Sequence, residues 1–162
     1  MRSAPQNHGE DCQAEPVVAM TEPLISYLWA AQVFASGLMT GLVWFVQINH
    51  YPLFLRISSA DFPEYEKEHV RRTGWIVAPT MLVELGACLA LAYFVATPWF
   101  LYGNSTLVLS IWLSTFLVQM PLHGKLQRIG KDEPAIRLLI TSNWYRTVAW
   151  TLIFGGLILQ AP

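Results

Sequence analysis

Four long apolar runs, separated by polar connections, set the plan of this 162-residue chain. They cover about residues 24–48, 75–97, 104–123 and 144–160. A helix needs about 20 apolar residues to cross a bilayer, and each run comes near that length. The pattern predicts an all-α fold: a polytopic four-helix transmembrane bundle over 24–160, preceded by a disordered polar tail over 1–23.

The breaks between the runs carry their own signals. Pro23 suits the start of the first helix, and Pro52 places its end near Tyr51. Gly37 and Gly41 form a Gly-x-x-x-Gly surface that permits close helix contact, within the chain or with a partner. The first connection is predicted to hold a short surface helix that begins after Asp61 and bends at Gly74. Residues 124–142 read as a second long connection, and Asn104-Ser-Thr106 as a helix cap rather than a glycosylation site.

Composition narrows the classes. Hydrophobic residues make up 54% of the chain, and 10 basic residues stand against 11 acidic ones, which gives no hint of nucleic-acid binding. Cys12 in the tail and Cys88 in the second run lie at different depths, so no disulfide framework is expected. The tail lacks the charged start and cleavage site of a signal peptide, and His8 reads as an ordinary tail residue. Arg56, Lys67, Arg71 and Arg72 lie in the first long connection; Lys125, Arg128, Lys131 and Arg137 lie in the second. The positive-inside rule then puts both connections in the cytoplasm and both termini on the periplasmic side, as in a bacterial inner-membrane protein.

Polar residues gather at that cytoplasmic end. Gln47, Asn49 and His50 close the first helix, while His69, Arg71 and Arg72 approach the second. Gln119 and His123 close the third, and Asn143 and Arg146 open the fourth. Thr115, Gln119 and His123 share one helical stripe, as do Asn143, Thr147 and Thr151, and Thr80, Glu84 and Cys88. Glu84 lies deeper, roughly 13 Å past Trp75 at about 1.5 Å per residue. It is too far from His69 for the two to share one metal ion.

Two chemistries fit this set, each beside a plainer reading. His50, His69 and His123, with Glu66, could ligate haem iron or an iron or copper ion; Glu66-x-x-His69 has the spacing of helical di-iron sites, although the other carboxylates are lacking. The plainer reading is that these histidines cap helices and bind headgroups. Alternatively, a pocket could hold a hydrophobic substrate such as a quinone, polyketide or lipid. Its orienting groups would be Arg72, Arg146, Asn143, Gln119, Gln47 and Asn49, with Trp112 and Trp150 as walls. Glu84 or His123 would move protons. The plainer readings are an interfacial belt of Trp and Arg, and a Glu84 that simply hydrogen-bonds a neighbouring helix.

Several strings point to a family: Gln47-Ile-Asn-His-Tyr-Pro-Leu-Phe54, His69-Val-Arg-Arg, Glu84 after Pro79, Ile111-Trp-Leu-Ser-Thr115, Gln119-Met-Pro-Leu-His123 and Asn143-Trp-Tyr-Arg-Thr147 with Trp150. Together they resemble an uncharacterised family of small four-helix bacterial integral membrane proteins. In helix number and size the chain is also loosely similar to anthrone-oxygenase-like membrane proteins, which implies redox chemistry on an aromatic polyketide-like substrate. The expectation is a membrane oxidoreductase or oxygenase with Glu84, His123 and Arg146 as its working groups. The competing classes are a non-enzymatic accessory or assembly subunit, and a small oligomeric transporter. Expected partners are membrane lipids, a hydrophobic small molecule, and further copies or subunits of a membrane complex.

Overall fold

The computed structural model describes residues 15–160, and among these every regular element is helical. His8 and Cys12, and the tail expectation for residues 1–14, lie outside the described residues. The first rod is α1 (Glu15–Phe45), a π-turn (Val46–His50) and the short α2 (Tyr51–Phe54). The second is α3 (Phe62–Phe94). The third joins a π-turn (Trp99–Asn104), α4 (Ser105–Ser114), a second π-turn (Thr115–Gln119) and α5 (Met120–Ile129). The fourth is α6 (Glu133–Leu159). Three stretches, Glu22–Phe54, Phe62–Phe94 and Trp99–Ile129, are long and apolar enough to cross a membrane, which fits an integral membrane protein.

Several boundaries differ from the sequence expectation, each for a physical reason. Helix begins at Glu15, so the last part of the expected tail is helical; Pro16 falls in the first turn, where a missing N–H costs nothing. The chain does not break at Tyr51. Its N–H bonds the Val46 carbonyl in a π-turn, and this wider turn accommodates Pro52 two residues beyond His50. The same device recurs at Thr115–Gln119, two residues before Pro121. The expected surface helix is no separate element: α3 runs 33 residues straight through Gly74, which has open space around its Cα. α6 starts eleven residues before the expected 144, with Pro134 in its first turn and Ala135, Ile136 and Leu139 buried. The second long connection therefore shrinks to a turn at Gly130, whose φ of 80° suits glycine.

The four rods close a ring. α1 packs on α3 and α6, α3 on α4 and α5, and these in turn on α6. Two apolar clusters fill the interior. One holds Met39, Met81, Leu91, Ile111, Trp150 and Ile153; the other, at the charged end, holds Tyr51, Phe54, Phe62, Leu126, Ile136 and Leu139. Lys131 Nζ donates to the Leu55 and Ile57 carbonyls at 2.9 and 2.8 Å, tying the two turns at that end together. The outside is lined with exposed Phe34, Trp75, Leu82, Leu89, Tyr93, Leu117 and Leu152, while Gln32, Glu66, Glu84, Asn104, Gln119, Asn143, Arg146 and Thr147 are buried. This inversion of polarity is what a lipid-facing bundle requires.

Close helix contacts rest on glycines, but inside the chain. A Cβ on Gly37 would meet the Phe154 ring of α6 at 3.0 Å, so that part of the Gly-x-x-x-Gly surface already has an intramolecular partner. Trp99 wedges between Gly103 and Gly156, where an added Cβ atom on either glycine would overlap its ring. With the ring gripped from both sides, Gly156→Ala is expected to cost about 1–3 kcal/mol by overpacking. Thermal unfolding in mild detergent should show the loss. An unchanged midpoint would mean that Trp99 can move aside.

Candidate functional site

The π-turns at Val46–His50 and Thr115–Gln119 lie at the charged end of the bundle, where polar groups face a common interior. Between the rods lies a cavity of about 120 Å³, lined by apolar Met39, Val43, Val46, Val70 and Val77 and by Tyr51, His69, Thr73, Thr115, Gln119, His123, Asn143 and Arg146. That is several times the about 30 Å³ share of one water molecule. On the other side of His69, an outer groove of about 330 Å³ is lined by Phe45, His50, Tyr65, Glu68 and Arg72. Leu42, Val46, His69 and Thr73 border both spaces.

One hydrogen-bond chain runs into the cavity from the charged end. Glu66 is fully buried on α3, and its Oε1 lies 2.5 Å from His123 Nδ1. His123 Nε2 lies 3.1 Å from the Tyr51 hydroxyl. A neutral imidazole has one donor nitrogen and one acceptor. With Nδ1–H donating to the Glu66 carboxylate, Nε2 must accept, so the Tyr51 O–H donates to it. Carboxylate, imidazole and phenol thus form a relay whose phenol end is in the cavity wall. A second pair, His50 Nε2 and His69 Nδ1, stands 2.8 Å apart, with the Thr73 hydroxyl 3.2 Å from the same His69 nitrogen. The His69 and His123 rings are 5.5 Å apart, and Phe54 stands edge-on to His50 and His69.

A second chain ends in a cation. Gln47 Nε2 donates to the Ile140 carbonyl at 3.1 Å, which fixes its Oε1 as the acceptor for Asn143 Nδ2 at 2.9 Å. Asn143 Oδ1 therefore faces Arg146 Nη1 at 3.3 Å. The Arg146 guanidinium lies 5.0 Å over the Trp150 ring, and its Nε is buried without a partner. Among the described residues no carboxylate pairs with it; the ion pairs join Glu68 to Arg71 and Arg72, Lys125 to Asp132 and Arg137 to Glu133, while Glu66 is hydrogen-bonded to His123. A buried cation without an anion is costly. Gln119 adds an acceptor: its Nε2 donates to Ser142 Oγ at 3.0 Å, while its Oε1 is buried and unpartnered.

The expected site residues divide accordingly. His123, Gln119, Asn143 and Arg146 line the cavity, and Gln47 anchors Asn143. Trp150 lies beneath Arg146 rather than in the wall. Asn49 is exposed and turned out by the π-turn, and Arg72 borders the outer groove, paired with Glu68. Trp112 packs in the apolar core, its ring 5.4 Å from Phe116. Thr151 is exposed and receives the Trp44 indole N–H at 2.9 Å. Glu84 forms a separate centre, with Ser36 Oγ and Trp150 Nε1 donating to its two oxygens at 2.8 and 2.9 Å. Of the four expected metal ligands, Glu66 is turned to His123, not to His69, and both nitrogens of His123 are engaged. Among the described residues no three His, Cys, Asp or Glu side chains converge on one ion position. Sequence reasoning misses Tyr51 and Ser36 as functional groups; the only hint for Tyr51 is its place between His50 and Pro52.

Fold and site define a class: an all-α, membrane-type bundle enclosing an apolar cavity with one unpaired guanidinium and a Glu–His–Tyr relay. No protein-family model, no curated protein and no solved structure matches the chain.

Proposed function

We propose that this is a four-crossing integral membrane protein of the bacterial inner membrane that binds a hydrophobic, acidic small molecule and exchanges a proton with it. Its charged end faces the cytoplasm and its termini the periplasm, because the basic residues other than Arg2 and Arg146 gather at that end. The fourth crossing is α6, whose Asn143, Arg146 and Thr147 lower its apolar content but point inward. The observation that carries the functional reading is Arg146: a buried guanidinium without a carboxylate, facing an apolar cavity beside a proton relay. A ligand oxyanion supplies the missing charge, and apolar walls take the rest of the molecule.

The chemistry balances within these groups. Tyr51 passes its proton to His123 Nε2 and takes one from the substrate; Glu66 offsets the imidazolium, and Arg146 offsets the substrate anion. The loose similarity to anthrone-oxygenase-like proteins suggests an oxygenation as the next step. An activated CH₂ group, once deprotonated, reacts with dioxygen, one oxygen atom becoming a carbonyl and the other leaving as water. The adjacent imidazoles of His50 and His69, 2.8 Å apart, favour a second reading, in which the pair supplies two neighbouring ligands to an iron or copper ion. Iron or copper in proportion to protein, lost in His69→Ala, would support it; metal content unaffected by that change would exclude it.

The proposal is tested by extracting small molecules from protein purified in mild detergent and identifying them by mass spectrometry. A hydrophobic carboxylic acid, phenol or enol is expected with the wild type and missing from Arg146→Met. Only phospholipid in both would contradict the proposal.

A further inference from the structure

The buried polar atoms without a partner fall mainly into two groups among the described residues. Glu66 Oε2, Gln119 Oε1 and Arg146 Nε belong to the relay and its cavity. Both amide atoms of Gln32, with Thr97 Oγ1, Trp99 Nε1 and Asn104 Oδ1, lie elsewhere, between Glu84 and the turn that joins α3 to the third rod. Trp112 Nε1 is the remaining one. The second group is far from the relay, at the opposite end of the bundle.

Existing hydrogen bonds already link much of it. Ser36 Oγ donates to Glu84 Oε1, and fully buried Gln32 lies one turn along the same face of α1. On α3, Cys88 lies one turn beyond Glu84, and its Sγ accepts from Asn104 Nδ2 at 3.3 Å. Asn104 closes the π-turn that begins at Trp99, two residues after Thr97. Glu84 is buried and, among the described residues, has no salt-bridge partner; Trp150 separates it from the Arg146 cation. In hydrocarbon, unpartnered amide and hydroxyl groups persist where water or function compensates them. A bound water needs about 2–4 polar partners; Gln32 and the Cys88–Asn104 pair each lie one turn from the Ser36–Glu84 contact, towards the same end of the bundle.

We propose that Glu84 is the inner end of a hydrated proton path that reaches the aqueous phase at the α3–α4 turn, by way of Gln32 and Asn104. The cavity and Glu84 are then served from opposite faces of the membrane. The proton passes between the Glu84 carboxyl group and the aqueous phase from water to water, and the Ser36 hydroxyl and the Gln32 and Asn104 amides hold those waters in line without exchanging protons themselves, with no net chemistry. The path stands on atoms that the cavity site does not use, so it does not depend on which ligand that site binds.

The test is hydrogen–deuterium exchange of the Glu84 carboxylic acid, read by infrared spectroscopy on the purified full chain, with Glu84→Gln assigning the band. The wild-type band is expected to shift within seconds of transfer to D₂O. Gln32→Leu and Asn104→Leu should each slow it by about tenfold or more, since each removes polar partners for bridging water. If Gln32 holds no water, its amide is an unsatisfied buried group, and Gln32→Leu would unfold at a higher temperature with an unchanged exchange rate. Equal rates in the wild type and both leucine variants, no exchange in the wild type, or no acid band assignable to Glu84 would each overturn the proposal.

Discussion

Glu66→Ala is expected to lower stability by about 1–3 kcal/mol, the usual cost of leaving a buried hydrogen-bond donor, here His123 Nδ1–H, without its acceptor. Glu66 is fully buried and its neighbour His123 nearly so, at 0% and 14% side-chain exposure. Without the carboxylate, the buried His123 Nδ1–H has no acceptor, and the Tyr51 contact loses its fixed tautomer. Glu66→Gln should cost less, since the amide oxygen still accepts from Nδ1–H. A double-mutant cycle with His123→Ala should show strong coupling, the pair costing far less than the sum of the single changes. Chemical or thermal unfolding in mild detergent would measure all of these. Glu66→Ala behaving like a substitution at exposed Glu64 would mean that the relay contributes nothing to the fold.

Arg146→Met has the opposite signature. If the guanidinium serves a ligand, removing it relieves the apo protein of an uncompensated buried charge, and stability should rise by about 1–2 kcal/mol. Affinity for an acidic ligand should fall about 100-fold or more, the usual loss when one partner of a buried charged contact is truncated. Thermal unfolding with and without ligand measures both effects at once. A structural arginine would give the reverse: a destabilised apo protein with unaltered affinity. That outcome would turn Arg146 into a bundle strut held by Asn143 and the Trp150 face.

The helical class and the inward turn of Gln119, His123, Asn143 and Arg146 follow from spacing, because residues three or four apart share a helical face, although Thr151, on the same stripe as Asn143, is exposed. Boundaries are less so. Lys131, Asp132, Glu133 and Arg137 disguise the start of α6 as a loop, although Asp132, Pro134 and the buried Ala135, Ile136 and Leu139 carry a helix-start pattern. Pro52 signals a break at Tyr51, whereas a π-turn absorbs it; such a turn shifts every later side chain around the axis, which is why Asn49 points outward and Tyr51 inward. The partnering of Glu66 with His123 joins positions 57 residues apart, and no local pattern carries that information. The local Glu66-x-x-His69 spacing suggests a different pair. The separation of Glu84 from the histidines does follow from depth, since helix length translates directly into distance.

The most direct measurement is a calorimetric titration of detergent-purified wild-type protein with 2-naphthoate and, separately, with 2-methylnaphthalene. The two probes share an apolar body and differ in the carboxylate. Saturable binding of the acid at one site per chain, about tenfold or more tighter than the hydrocarbon, is the expected result for an apolar cavity closed by the Arg146 cation. Equal affinities, or no saturable binding of either, would contradict an anion-directed site at Arg146.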